Sequence, residues 1–472
     1  MTTLRFHGSA AVLLLPLALF VAVTARLFIS EAAFDLTGLA AAGVLTLFSG
    51  SLLAKSPSEY WKAAVRGASS ELTGTVVLIL IASGIFSAMM KASGVADGLV
   101  FLGGMLHLTG HAFTVFVLLA SSLMAAATGS SIGTLLAAMP IFFPAGVALG
   151  ADPAMLAGAV LSGAIFGDNL APVSDVTVIS SVTQRFRDGT PADIAGVVRT
   201  RLPYAMTTLA VSMPVYAFMG ASRPVSEAAL SGDASALLML VPVAVLIAVA
   251  VRTRDVLMAI SAGAVTGTAT GLLIGRLSFA TIFAADDGRL SGFLISGISN
   301  VSPIILLCVT LFAFTGIVRE AGVPDMMAKA LEAGSAGRPS ALRTELFLSA
   351  ATLVVTTLFA AVTSASVALV GSLTDDIGRA SNVHPYRRSH ILSGLANSLP
   401  VLMPFSAFVL ITMAAVSGLE GAAAVTPFTL MTAAFYPIAL FLVFGFMVLT
   451  GTGRMMETPE PEAAKAKTAT AL

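Results

Sequence analysis

The chain has 472 residues, of which 57% are hydrophobic and only 11% charged, and its formal net charge is zero; its mean hydropathy is +0.95. Soluble domains carry roughly 25% charged residues, so this chain lacks the charge to cover a water-facing surface and requires lipid as its solvent. Neutrality excludes the basic footprint of a nucleic-acid binder, and a single cysteine, Cys308, excludes an internal disulfide; set in an apolar run, it reads as a buried structural thiol.

A membrane-crossing helix needs about 20 mostly apolar residues. The first such run, 8–27, follows Arg5 and His7 in the manner of a secretory signal. It offers no small-x-small cleavage site and is echoed later in the chain, so it reads as the first crossing. Further crossings are expected at 35–54, 73–91, 111–128, 203–221, 236–251, 256–275, 301–318, 344–362 and 426–450. The apolar segments 132–149, 154–183 and 388–416 are interrupted by Gly, Pro, Ser, Asn and Asp and read as broken helices or re-entrant hairpins. From residue 451 the chain turns polar, with Pro459 and Pro461, and reads as a disordered cytoplasmic tail.

The two halves repeat one another. LLLPLALFVAVTAR (13–26) aligns with MLVPVAVLIAVAVR (239–252), Pro16 over Pro242 and Arg26 over Arg252. FSAMMKASGVAD (86–97) aligns with FTGIVREAGVPD (314–325), Gly94 over Gly322 and Asp97 over Asp325. TGSS (128–131) falls over TSAS (363–366), LSG (161–163) over LSG (392–394), and Pro172 and Ser174 over Pro404 and Ser406 with small gaps. Positive charge then changes sides. Lys55, Lys62, Arg66, Arg185, Arg187, Arg199 and Arg201 mark cytoplasmic loops in the first half. In the second half the charge moves to the complementary loops, at Arg252, Arg254, Arg379, Arg387 and Arg388. The expectation is an all-α integral membrane protein of two inverted-topology repeats, with broken helices or re-entrant hairpins meeting at a midplane site. The repeats would occupy 1–222 and 236–450, joined by a loop at 223–235 and followed by the tail 451–472, with both termini cytoplasmic in a prokaryotic inner membrane.

The chemistry concentrates in GAIFGDNLAPVSDVTVISS, Gly163 to Ser181. A carboxylate at the centre of a membrane helix costs about 2.5–3.5 kcal/mol on insertion scales, and this stretch holds two, Asp168 and Asp175, with Asn169, Ser174 and Thr177 beside them. Pro172 removes a backbone donor and Gly167 loosens the chain, so the helix can open here, and open backbone in a membrane must line a cavity or be covered by protein. Carboxylates, hydroxyls and freed carbonyls are the oxygen ligands hard cations take. Desolvation raises a buried aspartate's proton affinity and a nearby cation lowers it, so one aspartate can hold either a proton or a sodium ion. The plainer alternative is a loop with a Ser or Asp helix cap.

The string GDNLAPVSDVT, followed by RFR and VVRTRLPYA, resembles the NhaC-type Na+/H+ antiporter family, a member of the superfamily of inverted-repeat ion transporters. The family pattern matches at Gly167, Asp168, Pro172, Ser174, Asp175 and Thr177 and departs at Val176, where the family has a threonine. The resemblance extends to HPYRRSHILSGLANSLPVLMPFSAF in the second half. It implies exchange of Na+ for H+, with Asp168, Asn169, Ser174, Asp175 and Thr177 binding the ion or proton and no cofactor beyond the transported ions.

Further contacts are expected from the repeat-related hydroxyls Thr128, Ser130, Ser131, Thr363, Ser364 and Ser366, whose plainer role is helix packing, and from Asn397 and Ser406 in the mate of the Asp168 segment. That mate has no carboxylate, so the site would be asymmetric, with acid from one half and neutral oxygens from the other. His384 and His390 read as part of a solvated basic loop, and Asp375 and Asp376 as a loop or ion pair with Arg379. His107 and His111 read as interfacial, and Lys91 and Arg319 as snorkelling helix ends. The competing reading is a Na+- or H+-coupled carrier of a small carboxylate or amino acid, against which stands the lack of an obvious buried basic residue. A membrane enzyme is disfavoured because no nucleophile or metal set accompanies the aspartates. The expected partners are lipid and the transported solutes, no nucleic acid, with a homodimer open as an assembly.

Overall fold

The computed structural model describes residues 4–8, 10–27, 36–108, 110–221, 234–253, 255–286, 289–323 and 340–457. Most of the expected connecting loop, the tail beyond 457, Arg254 and Asp325 lie outside the described residues. The first half contains α1 (Leu14–Ala25), α2 (Leu36–Leu53), α3 (Pro57–Ala68), α4 (Glu71–Ser93), α5 (Val95–Met105), α6 (Gly110–Thr128), α7 (Ser131–Ala148), α8 (Pro153–Leu170), α9 (Asp175–Val182) and α10 (Ile194–Met219). The second contains α11 (Val241–Thr253), α12 (Val256–Leu273), α13 (Phe279–Ile282), an antiparallel pair β1 (Ala284–Asp286) and β2 (Arg289–Ser291), and α14 (Phe293–Glu320). There follow α15 (Ala341–Leu358), α16 (Thr363–Ala380), α17 (Pro385–Ala396), α18 (Ala407–Val416), α19 (Pro427–Ala433) and α20 (Phe435–Thr450).

Among the described residues nine helices are long and apolar enough to cross a membrane, and two bent pairs raise the number to eleven. Leu52, Phe218, Leu273 and Leu449 point outward, a surface suited to lipid rather than water. Side-chain caps define many of the starts: Ser70, Ser130, Asp152, Asp193, Asp255, Ser340 and Ser406 each accept a backbone N–H of their helix. Helix α3 is amphipathic, burying Tyr60, Ala63 and Ala64 while Lys62 and Arg66 stay exposed.

The element order repeats. A hairpin (α6–α7), a broken helix (α8–α9) and a long helix (α10) recur as α15–α16, α17–α18 and α19–α20. The repeat is inverted, as α4 and α14 demonstrate. Gly84 packs on Gly297, and Gly67, just before α4, packs on Gly316, so the two helices run antiparallel. Their matched strings nonetheless both lie at C-terminal ends, with Gly94 and Gly322 left-handed at φ 69° and 71°. Glycine at these crossings lets the two backbones touch.

Several expectations change in detail. Segment 132–149 is not broken: α7 is continuous, with Pro140 and Pro144 inside it, and serves as the second arm of the first hairpin, since packed neighbours in a membrane can compensate a missing backbone bond. Helix α10 begins at Ile194, so Arg199 and Arg201 are helical rather than in a loop. The basic run HPYRRSH is not a solvated loop: it begins α17, with Arg387, Arg388 and His390 fully buried. Buried acids distant in sequence supply the reason. Arg387 pairs with Glu345 at 2.9 Å and Arg388 with Asp375 at 2.7 Å, and Asp375 also pairs with Arg379 at 3.3 Å, as the ion-pair reading had it. The stretch expected to open a disordered tail is ordered as far as 457. There Met456 bridges to Val383 and Arg454 reaches Glu345 at 2.9 Å. The hairpin strings are also offset: TGSS straddles the α6–α7 tip, whereas TSAS starts α16.

Candidate functional site

Helix α8 ends at Leu170, Ala171 is extended, Pro172 offers no donor, and Ser174 precedes α9. Two residues inside the last turn of α8 sits Asp168, buried with 5% exposure. The Ser174 hydroxyl donates to Asp168 Oδ1 at 2.6 Å, and buried Ser131 lies close to the same carboxylate. The α6–α7 tip delivers Ser131. At that tip Gly129 is left-handed at φ +69°, and a Cβ there would lie 2.6 Å from Val173 and 3.0 Å from the Ser174 nitrogen. Only glycine allows the tip to press so closely on the break.

The other residues expected here take distinct places. Thr177 donates to the Asp168 carbonyl at 3.3 Å. Asn169 donates to Tyr436 Oη at 3.3 Å and accepts from Ser393 at 3.2 Å, so it ties the break to the second half. Asp175, the first residue of α9, is exposed. Thr128 and Ser130 hold the tip itself: Thr128 donates to the Met124 carbonyl at 3.0 Å, and Ser130 accepts from Gly133 N at 3.1 Å. Val176, in the family threonine's place, is buried.

The second break mirrors the first in outline. Ala360 and Ala361 at the α15–α16 tip are left-handed at φ 50° and 60°, and the Ala360 carbonyl accepts from Ala407 N at 2.9 Å. Ser406 caps α18. Thr363 and Ser366 are buried, Ser366 donates to the Val362 carbonyl at 2.9 Å, and Ser364 is half-buried. Among the described residues, none of these three is hydrogen-bonded to Asp168. Asn397 ends α17 and is fully buried.

The main residue missed from sequence is Arg201. It is fully buried, which corrects its reading as the marker of a cytoplasmic loop. Its Nη1 donates to the Asn169 carbonyl at 2.8 Å, to Ser393 at 3.0 Å and to Thr177 at 3.2 Å. Its Nη2 donates to Ser389 Oγ at 3.1 Å, to the Ser389 carbonyl at 3.3 Å and to Ser180 at 3.3 Å. Every one of these acceptors is neutral, and they come from both halves. A signal existed: the buried face of α10 runs Val197, Arg201, Ala205, Thr208, Ser212 and Tyr216, a helical period that places Arg201 inside once the helix is started at Ile194. The arrangement as a whole is one enclosed carboxylate with a hydroxyl bonded to it and a second nearby, at a break held by a fixed positive charge. It suits a proton or a small hard cation.

Residues 3–221 match the Na+/H+ antiporter family, a family of transporters. The chain is 31% identical over 176 residues to a Malate-2H(+)/Na(+)-lactate antiporter of Bacillus subtilis, covering 37% of this chain and 36% of that protein. It is 28% identical over 280 residues to the Na(+)/H(+) antiporter NhaC of Alkalihalophilus pseudofirmus, covering 54% and 58%. The chain thus spans from about a third to about three fifths of the length of these curated relatives. Among solved structures, the Alcanivorax borkumensis YdaH transporter aligns over 83% of this chain and 88% of its own, at 13% identity and a TM-score of 0.39, a likeness too loose to build on.

Proposed function

We propose that this chain is a secondary antiporter that exchanges Na+ for H+ across a prokaryotic plasma membrane, with Asp168 carrying the two ions in turn. The observation that carries this reading is the enclosed Asp168 carboxylate, held by Ser174 at 2.6 Å at an unwound break. A lone carboxylate in such a place can be neutralised by a proton or by a cation but not by both, and that competition couples the two fluxes. Exposed Asp175 draws cations toward the break. Thr177 and Asn169 fix the backbone on which Asp168 rides. Alternating access would move the breaks and hairpins against the remaining helices. Basic residues cluster with the ordered ends of the chain, since Arg187 N donates to Glu457 and Lys55 N to the Arg5 carbonyl, which supports both termini being cytoplasmic.

The similarity to a malate–lactate exchanger favours a second reading, coupled exchange of a small carboxylate. Both terminal nitrogens of the Arg201 guanidinium already donate to protein oxygens, so Arg201 bears on this reading only through its buried Nε, which has no partner among the described residues.

The test uses purified protein in liposomes loaded with a pH-sensitive dye, under a pH gradient and without organic solute. Sodium should collapse the gradient, and Asp168→Asn should abolish the response. A flat trace from folded wild-type protein overturns pure cation exchange and directs the screen to carboxylates and amino acids.

A further inference from the structure

Asn397 is fully buried, and neither its Nδ2 nor its Oδ1 has a hydrogen-bond partner. A primary amide offers two donors and an acceptor oxygen with two lone pairs, and burying such a group unpaired is costly. An orphan amide of this kind points to a ligand.

Its position along α17 indicates which one. Ser389, Ser393 and Asn397 follow at four-residue intervals and therefore share a face. Ser389 donates to Ser180 Oγ at 3.0 Å, and Ser393 donates to Asn169 Oδ1 at 3.2 Å; both also accept from Arg201. Helix α9 runs in the opposite sense alongside, with Ser180, Thr177 and Ser174 at three-residue intervals. Ser180 meets Ser389, and Thr177 shares Arg201 Nη1 with Ser393. One more turn along each helix leads to Ser174 on one side and to Asn397 on the other, and Ser174 is the hydroxyl on Asp168. Two members of the polar stripe are therefore satisfied by protein, and the third, one turn further toward the break, is not.

We propose that Asn397 is the second half's ligand for the ion at Asp168, its amide oxygen completing the oxygen shell across the two repeats. This rests on the cation-exchange reading above. An amide oxygen is a hard, neutral ligand, so it helps strip water from a monovalent cation without adding a second charge to the site. The same amide suits the protonated form, since it can donate to the carboxyl C=O and accept from its O–H. Asn397 thereby sets cation affinity and size preference, while Asp168 supplies the charge.

The test measures exchange in liposomes against Na+ and Li+ concentration for wild type, Asn397→Leu and Asn397→Asp, together with the melting-temperature shift that Na+ produces in detergent. Asn397→Leu should raise the Na+ concentration for half-maximal exchange about tenfold, the scale of one lost polar contact, change the Na+/Li+ preference and shrink the Na+-induced shift. Asn397→Asp, which keeps an oxygen ligand, should restore cation protection. If Asn397→Leu fails to fold, Asn397→Ser is read by the same two measures and the same criteria. Unchanged half-maximal concentration, preference and Na+ protection, with only a lower baseline melting temperature, would mean a trapped water and would overturn the proposal. In that case Asp168-dependent exchange would still stand. Absence of both exchange and Na+ protection in wild type would instead remove the exchange reading and this proposal with it.

Discussion

At the first break the serine preceding the distal helix, Ser174, turns its hydroxyl onto Asp168 at 2.6 Å and gives its helix no side-chain cap. At the second break Ser406 stands in the same place but serves backbone, accepting from Val409 N at 3.1 Å and donating to the Val401 carbonyl at 2.6 Å. The two local sequences carry the same signal, a serine after a proline at the head of a helix, and differ in whether a carboxylate lies within reach. Where one does, the helix end gives up its cap for the acid. Where none does, the ordinary cap forms, and Asn397 is left unpaired. The inverted repeat therefore supplies two similar openings, of which one is charged.

The sharpest way to break this comparison is to discharge the first opening. Asp168→Asn should lower Na+-driven proton movement by at least about a hundredfold, the scale of losing an ionised partner in a dehydrated site, while the protein still inserts and folds. Exchange at even a tenth of the wild-type rate would show that the charge lies elsewhere. Next in size is the link between the halves. Arg201→Gln leaves several buried neutral oxygens of both repeats without their donor, and a loss of about 1–3 kcal/mol in stability is expected, the cost of leaving buried acceptors unsatisfied. Thermal unfolding in detergent reads this directly. An unchanged melting temperature would mean that the two breaks are not joined through this guanidinium.

A paired substitution then separates ligand from cap. Ser174→Ala removes a hydrogen bond to a charged group, worth about 1.5–3 kcal/mol, and should raise the half-maximal Na+ concentration at least tenfold. Ser406→Ala should cost about 1 kcal/mol of stability as a lost cap and leave Na+ dependence unaltered. Equal effects on transport would abolish the distinction between the two breaks.

Much of this was legible in the sequence, and for definite reasons. Pro172 with Asp168 and Asp175, and Pro404 with Asn397 and Ser406, interrupt apolar runs, so both openings were visible. The left-handed glycines Gly94 and Gly322 close equivalent helices, so the repeat could be aligned and, from the charge swap, inverted. What escaped was long-range pairing. Arg387 and Arg388 look like loop residues until Glu345 and Asp375 are placed beside them at 2.9 and 2.7 Å. Arg201 looked like a cytoplasmic marker because α10 was started at its apolar core, near 203, rather than at the Asp193 cap. Asp175 shows the converse: its place in the motif gave it the same standing as Asp168, but only three dimensions separate the buried acid from the exposed one.

The smallest expected effect concerns a second tie between α10 and α17, at their starts. Asp193 caps α10, accepting from Gly196 N at 2.6 Å, and also accepts from the Tyr386 hydroxyl of α17. The Tyr386 hydrogen bond first, and then the Gly196 N–H, hold its carboxyl below the ordinary value of 3.8. A carboxylate lowered in this way contributes stability that is present above its unfolded value, near 3.9, and is lost as pH falls through the folded one. The tie should therefore be intact at neutral pH and release only below about pH 3.9. Tyr386→Phe removes the larger cause, so release should begin at higher pH than in wild type. Hydrogen exchange of the amides at 194–197, followed between pH 5 and 3, reads this opening. Superimposable curves for the two proteins would show that the Asp193 cap depends on α10 alone and that Arg201 is the tie that matters between the halves.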